Sequence, residues 1–229
     1  AAAELARKEL RAWLDEHVTP EVREATTHRV EGDVHVEPFD ALRSWNATLF
    51  DAGWAAPSWP VAFGGRVAGI LEQLALNEEM ARAGAPGPIN AIGVANIAPA
   101  IMTYGTPEQQ ERFLRPMLRG NHIWSQGMSE PESGSDLASL RCRAETDGDH
   151  FVVTGQKTWN SNGDRAHWCQ LYVLHRLVRA EAPGHHLPAR RHEPARDRGP
   201  AHPDHGRRLG LRRRVLRRPG RALRKSPRS

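Results

Sequence analysis

The sequence has 229 residues, of which 39% are hydrophobic and 26% charged, a length that suits one large domain or two small ones. The formal net charge of +5 is the sum of two regions of opposite charge. Residues 175–229 carry seventeen Lys and Arg against four acids, whereas residues 1–174 carry fifteen Lys and Arg against twenty-three acids. Two cysteines and six scattered histidines before residue 175 exclude a disulfide framework and a metal-ligand set, which favours free thiols in a reducing cytoplasm.

Apolar residues at helical spacing predict an all-helical N-terminal domain over residues 1–120. Pro20 ends the first helix, the Gly- and Pro-rich residues 52–65 form a loop, and Gly84 ends the third helix. The run 83–107 carries no charge, but prolines and asparagines interrupt it, so it predicts a buried helix between loops and not a membrane span. The helices lie near residues 5–18, 42–49, 70–83 and 107–119.

The best-marked helix start lies at Thr106. Threonine is a common N-cap, Pro107 suits the first helical position, and Gln109 stands where the partner in a capping box belongs. Gly120 provides the end signal. The pattern therefore predicts a capped helix over residues 107–119.

After Gly120 the hydrophobic period changes from that of a helix to that of a strand. A short β-like run covers residues 122–128, two strands around an Asp-Gly turn cover 142–159, and another strand covers 168–174. Helices followed by strands indicate an α+β fold. We therefore expect an incomplete, antiparallel, β-barrel-like middle domain over residues 121–174.

The stretch of residues 124–140, together with residues 155–163, is the most unusual in the sequence. A loop of Ser, Gly, Glu and Pro exposes backbone N–H groups and hydroxyls, which suit a phosphate or the electron-rich edge of a ring. The alternative is an ordinary polar turn that caps a helix, and composition alone favours that alternative.

Taken together, the two segments resemble the acyl-CoA dehydrogenases. The family's middle-domain signature is similar to MSEPESGSD at residues 128–136, and its Gly-x-Lys-x-Trp element is similar to GQKTW at residues 155–159. Residues 52–65 and 104–114 are similar to the family's helical domain. The resemblance covers residues 39–174.

The resemblance implies a flavoenzyme that forms a Cα=Cβ double bond in an acyl-CoA thioester and passes the β-hydride to N5 of FAD. It implies that Ser129 donates to the edge of the flavin, that Trp159 packs against the ring, and that Ser135 lies between the cofactor and the CoA substrate. Asn160 is a departure, since Ile or Thr is usual there. The implied cofactor-binding residues are Gln126, Gly127, Met128, Ser129, Gly134, Ser135, Trp159, Asn160 and Ser161.

Glu130 is a tempting catalytic base because it lies in the cofactor loop. The resemblance places the base instead on a Glu or Asp of a C-terminal helical domain, for which this sequence has no room. We therefore predict no catalytic residue in this chain and interpret Glu130 as a structural acceptor. The chain by itself is expected to be inactive.

Residues 175–229 contain no aromatic residue and are rich in Arg, Pro and His, which predicts a disordered basic tail. Codons compatible with residues 175–193, read one base later, encode an apolar sequence that resembles the family's next β segment. We therefore predict that a frameshift near Leu174 truncates the family sequence. The coding DNA tests this directly, because the shifted frame must continue without interruption.

Two other functions stay open. The basic tail could hold nucleic acid through its phosphates, although without stacking aromatics we expect no specific recognition. The chain could also be a non-catalytic subunit of a mixed dehydrogenase assembly. By resemblance, the partners are an acyl-CoA substrate, an electron-transfer flavoprotein as the electron acceptor, and dehydrogenase subunits in a homo- or hetero-oligomer. The sequence shows no signal peptide, so we expect a cytoplasmic protein without a membrane partner.

Overall fold

The computed structural model describes residues 2–27, 39–147, 150–175, 190–191 and 209–217. The chain divides into two compact units, Ala1–Ile123 and Trp124–Ser229. No helix within the described ranges is long and apolar enough to cross a lipid bilayer.

The first unit is helical, as the apolar spacing predicts. Pro20 not only follows the first helix but begins the second, where its missing N–H and fixed φ are tolerated. A 3₁₀ turn, Val61–Phe63, lies within the predicted loop, and a π-helix, Ile92–Ile97, lies within the predicted buried helix. The α-helices are α1 Ala2–His17, α2 Pro20–Thr27, α3 Phe39–Asp51, α4 Ile70–Ala83, α5 Ala98–Tyr104 and α6 Pro107–Arg119.

The core of this unit is built on α1, α3 and α4. Two buried polar side chains tie the core to the surrounding backbone. The indole Nε1 of Trp45 donates to the carbonyl oxygen of Pro86 at 3.1 Å, and the amide of Asn46 donates to that of Leu118 at 2.7 Å. The buried apolar residues are Leu10, Leu14, Val18, Trp45, Leu49, Trp54, Leu76 and Ala83.

A buried carboxylate joins α1 to α4. Glu79 is 1% exposed, and its oxygens accept hydrogen bonds from Arg7, Arg11 and Arg82 at 2.6–3.2 Å. The guanidinium of Arg11 contributes most to lowering the pKa of Glu79 to about 2, against the opposing effect of burial, with Arg82 and Arg7 adding to it. The charge of Glu79 is therefore fully compensated where the two helices meet.

The predicted cap of α6 is confirmed. The hydroxyl of Thr106 accepts from the N–H of Gln109 at 3.3 Å, and the Gln109 side chain accepts from the N–H of Thr106 at 2.9 Å. Gly120 ends the helix with φ of 84°, in the left-handed region that glycine tolerates best.

The second unit holds two small sheets, with strand orders β1-β4-β6 and β5-β2-β3-β7. A 3₁₀ turn, Leu137–Ser139, lies between the first two strands. The predicted α+β fold, helices followed by a small sheet region, is confirmed. The strands are β1 Trp124–Gly127, β2 Arg143–Asp147, β3 His150–Lys157, β4 Trp168–Leu171, β5 Leu174–His175, β6 Arg190–Arg191 and β7 Leu209–Arg217.

The pairing in these sheets is mixed and not wholly antiparallel. Strands β2 and β3 pair antiparallel as expected, and the residues of the predicted Asp-Gly turn lie outside the described ranges. Strands β1 and β4 are parallel, as are β2 and β5. In the first of these pairs, Trp124 lies opposite Trp168 and their rings stack with centroids 5.9 Å apart, which burial of large aromatic surface favours.

The described residues of the predicted basic tail are His175, at the end of β5, and two further segments. The backbone of Arg190–Arg191 pairs with β4, and that of Leu209–Arg217 pairs with β3. At these positions the backbone is in strands, in contrast to the predicted disorder. The rest of residues 176–229 lies outside the described ranges.

Candidate cofactor site

The candidate site begins where β1 and β4 run side by side. The N–H of Tyr172, just after β4, donates to the carbonyl oxygen of Gly127 at 3.0 Å. A Cβ at Gly127 would lie 2.6 Å from Cδ2 of Leu171 and 3.3 Å from the Lys157 side chain. Glycine therefore leaves room at the end of β1 for the side chains of Leu171 and Lys157.

The loop after β1 is braced from within. Glu130 and Ser133 form a short antiparallel bridge, with N···O distances of 2.8 and 3.2 Å. The Ser133 hydroxyl donates to the carbonyl oxygen of Asp136 at 2.6 Å. Gly134 and Ser135 are exposed at the outer bend of this loop. The loop therefore has a defined conformation that presents two of the predicted site residues to solvent.

Ser129 has unused hydrogen-bond donors. Its carbonyl oxygen accepts from the N–H of Thr158 at 2.9 Å, which ties the first motif to the second. Neither its N–H nor its hydroxyl has a partner among the residues that the structure describes. A backbone N–H and a hydroxyl on one residue suit an electron-rich acceptor.

Trp159 lies in a conformation that costs free energy. Its φ is 58°, a left-handed value that is rare for a bulky residue, and its side chain is 64% exposed. Backbone strain of this kind, on the order of 1–3 kcal/mol, is commonly retained at ligand sites. An exposed indole held in a strained backbone is typical of a surface that packs against another molecule.

The residues beside Trp159 hide polar atoms without partners. The Asn160 side chain is 4% exposed, yet neither its Nδ2 nor its Oδ1 has a hydrogen-bond partner within the described part of the chain. The buried Thr158 hydroxyl also has no hydrogen-bond partner within the described part of the chain. Each such buried group costs about 1–3 kcal/mol. The Asn160 amide lies close to Gly127, with Oδ1 3.6 Å from where a Cβ would stand.

A buried ion pair lies beneath both loops. The ammonium of Lys157 is 2.9 Å from Oε1 of Glu130, and the two side chains are 0% and 8% exposed. The carboxylate also accepts from the backbone N–H groups of Arg141 at 2.6 Å and Cys142 at 2.8 Å. Burial, the largest influence, opposes ionisation, but these N–H groups and Lys157 outweigh it and lower the pKa of Glu130. Glu130 is thus ionised and fully engaged.

The structure brings together some of the predicted site residues and leaves others apart. Hydrogen bonds link Met128 and Ser129 to the end of β3, so the two motifs form one site. Gln126 is engaged by Gln170, whose Oε1 accepts from its amide at 2.8 Å. Gly134 and Ser135 take no part in these bonds. No group of three His, Cys, Asp or Glu residues in the described ranges could hold a metal ion.

The position of Lys157 on the buried face of a strand indicates that it is paired. Strand alternation puts Phe151, Val153 and Lys157 on one face of β3, and the first two are buried core residues. A lysine on such a face requires an acidic partner, because a buried ammonium is too costly alone. That rule predicts an acidic partner for Lys157, and the structure identifies the partner as Glu130.

Sequence models of protein families match both units. The model of the acyl-CoA dehydrogenase N-terminal domain matches residues 1–121, and the model of the acyl-CoA dehydrogenase middle domain matches residues 125–195. The chain belongs to the acyl-CoA dehydrogenase family. The two motifs that carry the resemblance are therefore members of a family signature, and the site at the ends of β1 and β3 lies within the matched middle domain.

Known relatives extend well beyond this chain. The acyl-CoA dehydrogenase IpdE1 of Mycobacterium tuberculosis is 39% identical over 170 residues, which cover 74% of this chain and 43% of that protein. The ChsE4-ChsE5 complex of the same organism superposes with a TM-score of 0.62 at 38% identity, over 77% of this chain and 42% of that one. A structure described as the Tcur3481-Tcur3483 steroid acyl-CoA dehydrogenase superposes with a TM-score of 0.62 at 34% identity, over 78% of this chain and 44% of that one. The chain thus spans less than half the length of these relatives.

Proposed function

We propose that this chain supplies the FAD-binding site of an enzyme that performs α,β-dehydrogenation of an acyl-CoA thioester. The observation that carries the proposal is the junction of the two loops. There, the unused donors of Ser129, the strained and exposed Trp159 and the unpartnered amide of Asn160 lie on segments joined by hydrogen bonds. Their chemistry fits an aromatic heterocycle with acceptor atoms at its edge.

Ser129 is assigned to the edge of the flavin. When bound, FAD would accept the hydride from the β-carbon of the substrate and carry additional negative charge in its ring. Donors that are already oriented stabilise developing charge without reorganising. The N–H and hydroxyl of Ser129 fit this requirement because nothing else in the described structure uses them.

The second loop is assigned to the face and side of the ring. Trp159 offers a large apolar surface, 64% exposed, against which a planar ring can pack. Ser161 is exposed, and its N–H donates to the carbonyl oxygen of Trp159 at 3.1 Å, which holds the turn. Asn160 offers both an amide donor and an acceptor beside this turn.

No proton-abstracting role is assigned to Glu130. Its carboxylate is held by Lys157 and by two backbone N–H groups, so both oxygens already accept hydrogen bonds, and its lowered pKa makes it a weak base. This agrees with the expectation that Glu130 is a structural acceptor. The function proposed for this chain is therefore to hold the cofactor, not to remove the α-proton.

The remaining assignments rest on family membership. Ser135, exposed at the outer bend of the first loop, is the candidate contact to the CoA substrate. The proposed partners are an electron-transfer flavoprotein as the acceptor and other dehydrogenase subunits. Because two of the structural relatives are described as a complex and as a steroid dehydrogenase, assays should include a steroid-derived thioester and a straight-chain one.

Replacing Ser129 tests the assignment of the flavin edge. We expect Ser129→Ala to weaken FAD binding by about tenfold, through the loss of one hydrogen bond to a charged or electron-rich group, and to shift the flavin absorption bands. Ser139→Ala is the matched control, because that hydroxyl lies in the same loop but donates to Asp136. Equal FAD affinity and identical spectra for both variants would show that the Ser129 hydroxyl does not contact the flavin.

A further inference from the structure

The buried ion pair under the site reaches both sides of Ser129. The ammonium of Lys157 donates to the carbonyl oxygen of Met128 at 2.9 Å and to Oε1 of Glu130 at 2.9 Å. Met128 and Glu130 are the two chain neighbours of Ser129. One cation thus fixes the residue before Ser129 through its backbone and the residue after it through its side chain.

A third bond completes the restraint. The N–H of Thr158, next to Lys157, donates to the carbonyl oxygen of Ser129 itself at 2.9 Å. Three consecutive residues of the first loop are therefore held by two consecutive residues at the end of β3. The N–H and hydroxyl of Ser129 have no partner among the residues that the structure describes.

The carboxylate of the pair extends the restraint to a further strand. Glu130 accepts from the N–H groups of Arg141 and Cys142, which directly precede β2. The loop is thus closed at its far end by the same side chain that holds it near Ser129. A shift of any one of the three segments would have to break a bond to the pair.

We propose that Glu130 and Lys157 are positioning residues for the cofactor, which set the donors of Ser129 and the turn at Trp159 in place before FAD arrives. This inference rests on the function proposed above. Groups that are already ordered bind a ligand without paying the entropy of ordering at that moment. A buried ion pair is a poor source of folding stability compared with apolar side chains, so a role in geometry accounts better for one buried at this position.

The test replaces the pair without leaving a buried charge. In the full chain, Glu130→Gln combined with Lys157→Met removes both buried charges and the cation that holds Met128, while the Gln amide oxygen keeps an acceptor for one of the two N–H groups. The control is Glu132→Gln, which breaks an exposed ion pair in the same loop, that with Arg141. Each protein is titrated with FAD, melted without FAD, and followed by amide hydrogen exchange.

We expect the double variant to melt somewhat below the parent, because one backbone N–H loses its acceptor, and to bind FAD about tenfold more weakly. Its flavin bands should be less resolved, and the amide of Thr158 should exchange faster while that of Tyr172, which bonds Gly127, is unchanged. The Glu132→Gln control should match the parent throughout.

Parent-like FAD affinity together with parent-like exchange at Thr158 in the double variant would overturn the proposal. A large fall in melting temperature with faster exchange at both amides would also overturn it, because the pair would then be a general stabiliser. If the parent chain binds no FAD, the proposed function fails, while the exchange at Thr158 still decides whether the pair positions the loop.

Discussion

The carbonyl oxygen of Ser129 accepts a hydrogen bond from the N–H of Thr158 at 2.9 Å. This bond joins two motifs that are far apart in the sequence and makes them one site. The N–H and hydroxyl of Ser129 have no partner among the described residues, and Thr158 directly precedes the strained Trp159. The candidate site therefore depends on both motifs, because residues of each lie at this junction.

Trp159→Gly should separate folding from cofactor binding. Because glycine tolerates a φ of 58°, the substitution should raise the free energy of unfolding of the apo chain by about 1 kcal/mol. Removal of the ring should weaken FAD binding by about tenfold or more. Denaturant unfolding and FAD titration measure the two effects. Tyr104→Gly is the control, because Tyr104 is 77% exposed in the helical unit and its loss should leave FAD binding unchanged. If Tyr104→Gly weakened FAD binding as much as Trp159→Gly, the assignment of Trp159 would be contradicted.

Asn160→Leu should stabilise the chain without its cofactor. The buried amide has no partner in the described structure, so an apolar side chain should raise the free energy of unfolding by about 1–2 kcal/mol while weakening FAD binding. Asn46→Leu is the control, and it should lower the free energy of unfolding, because the buried Asn46 amide donates to the carbonyl oxygen of Leu118 at 2.7 Å. Thermal melts with and without FAD provide the readout. Destabilisation of the apo chain by Asn160→Leu would show that the amide has a structural partner.

Gly127→Ala should disrupt the junction of β1 with β4. A Cβ there would lie 2.6 Å from Cδ2 of Leu171, so this buried side chain must change its conformation, at a cost of about 1 kcal/mol and with loss of FAD affinity. Gly134→Ala is a matched control in the same loop, since a Cβ at that position meets nothing within 4 Å. Chemical denaturation distinguishes them. Equal stability of the two variants would contradict the close approach described at Gly127.

Acid should weaken the joint between α1 and α4. The pKa of Glu79 is lowered from 4.5 to about 2, chiefly by Arg11, so its contribution to stability is complete above about pH 4.5 and is lost as the pH falls toward 2. We expect this contribution to be about 1–2 kcal/mol, since solvent screens the half-exposed arginines. Glu79→Gln should destabilise the chain at pH 7 and flatten the decline of stability below pH 4.5.

Glu78→Gln is the matched control for this prediction. Glu78 is half-exposed and forms an ion pair with Arg7, so its substitution should change neither the stability at pH 7 nor the acid profile appreciably. Urea unfolding between pH 2 and pH 7 measures both. An acid profile of Glu79→Gln identical to that of the parent would show that the three arginines do not hold the carboxylate.

The helical unit was largely predictable because its signals are local. The cap at Thr106 and Gln109 follows from residues three positions apart, and the stop at Gly120 follows from one residue. The parallel pairing of β1 with β4 was not predictable, since it depends on Trp124 meeting Trp168 from a distant part of the chain. Hydrophobic alternation within one strand does not specify its neighbour or their relative direction.

The site was predictable only through resemblance, and the pair beneath it was missed. Composition alone favoured an ordinary polar turn within residues 124–140, because loop chemistry does not reveal what a loop faces. The ion pair of Glu130 with Lys157 required a long-range contact between two motifs. The frameshift near Leu174 stays a prediction, and the coding DNA read one base later from there decides it.

Equilibrium titration of the purified chain with FAD tests the central claim most directly. We predict saturable binding of one FAD per chain, with quenching of flavin fluorescence and of the indole emission as the ring packs against Trp159. Binding should be diminished in Ser129→Ala and Trp159→Gly but retained in Ser139→Ala. A chain that folds, shows the expected helix content and yet gives no saturable FAD binding would contradict the proposal that these two loops form a flavin site.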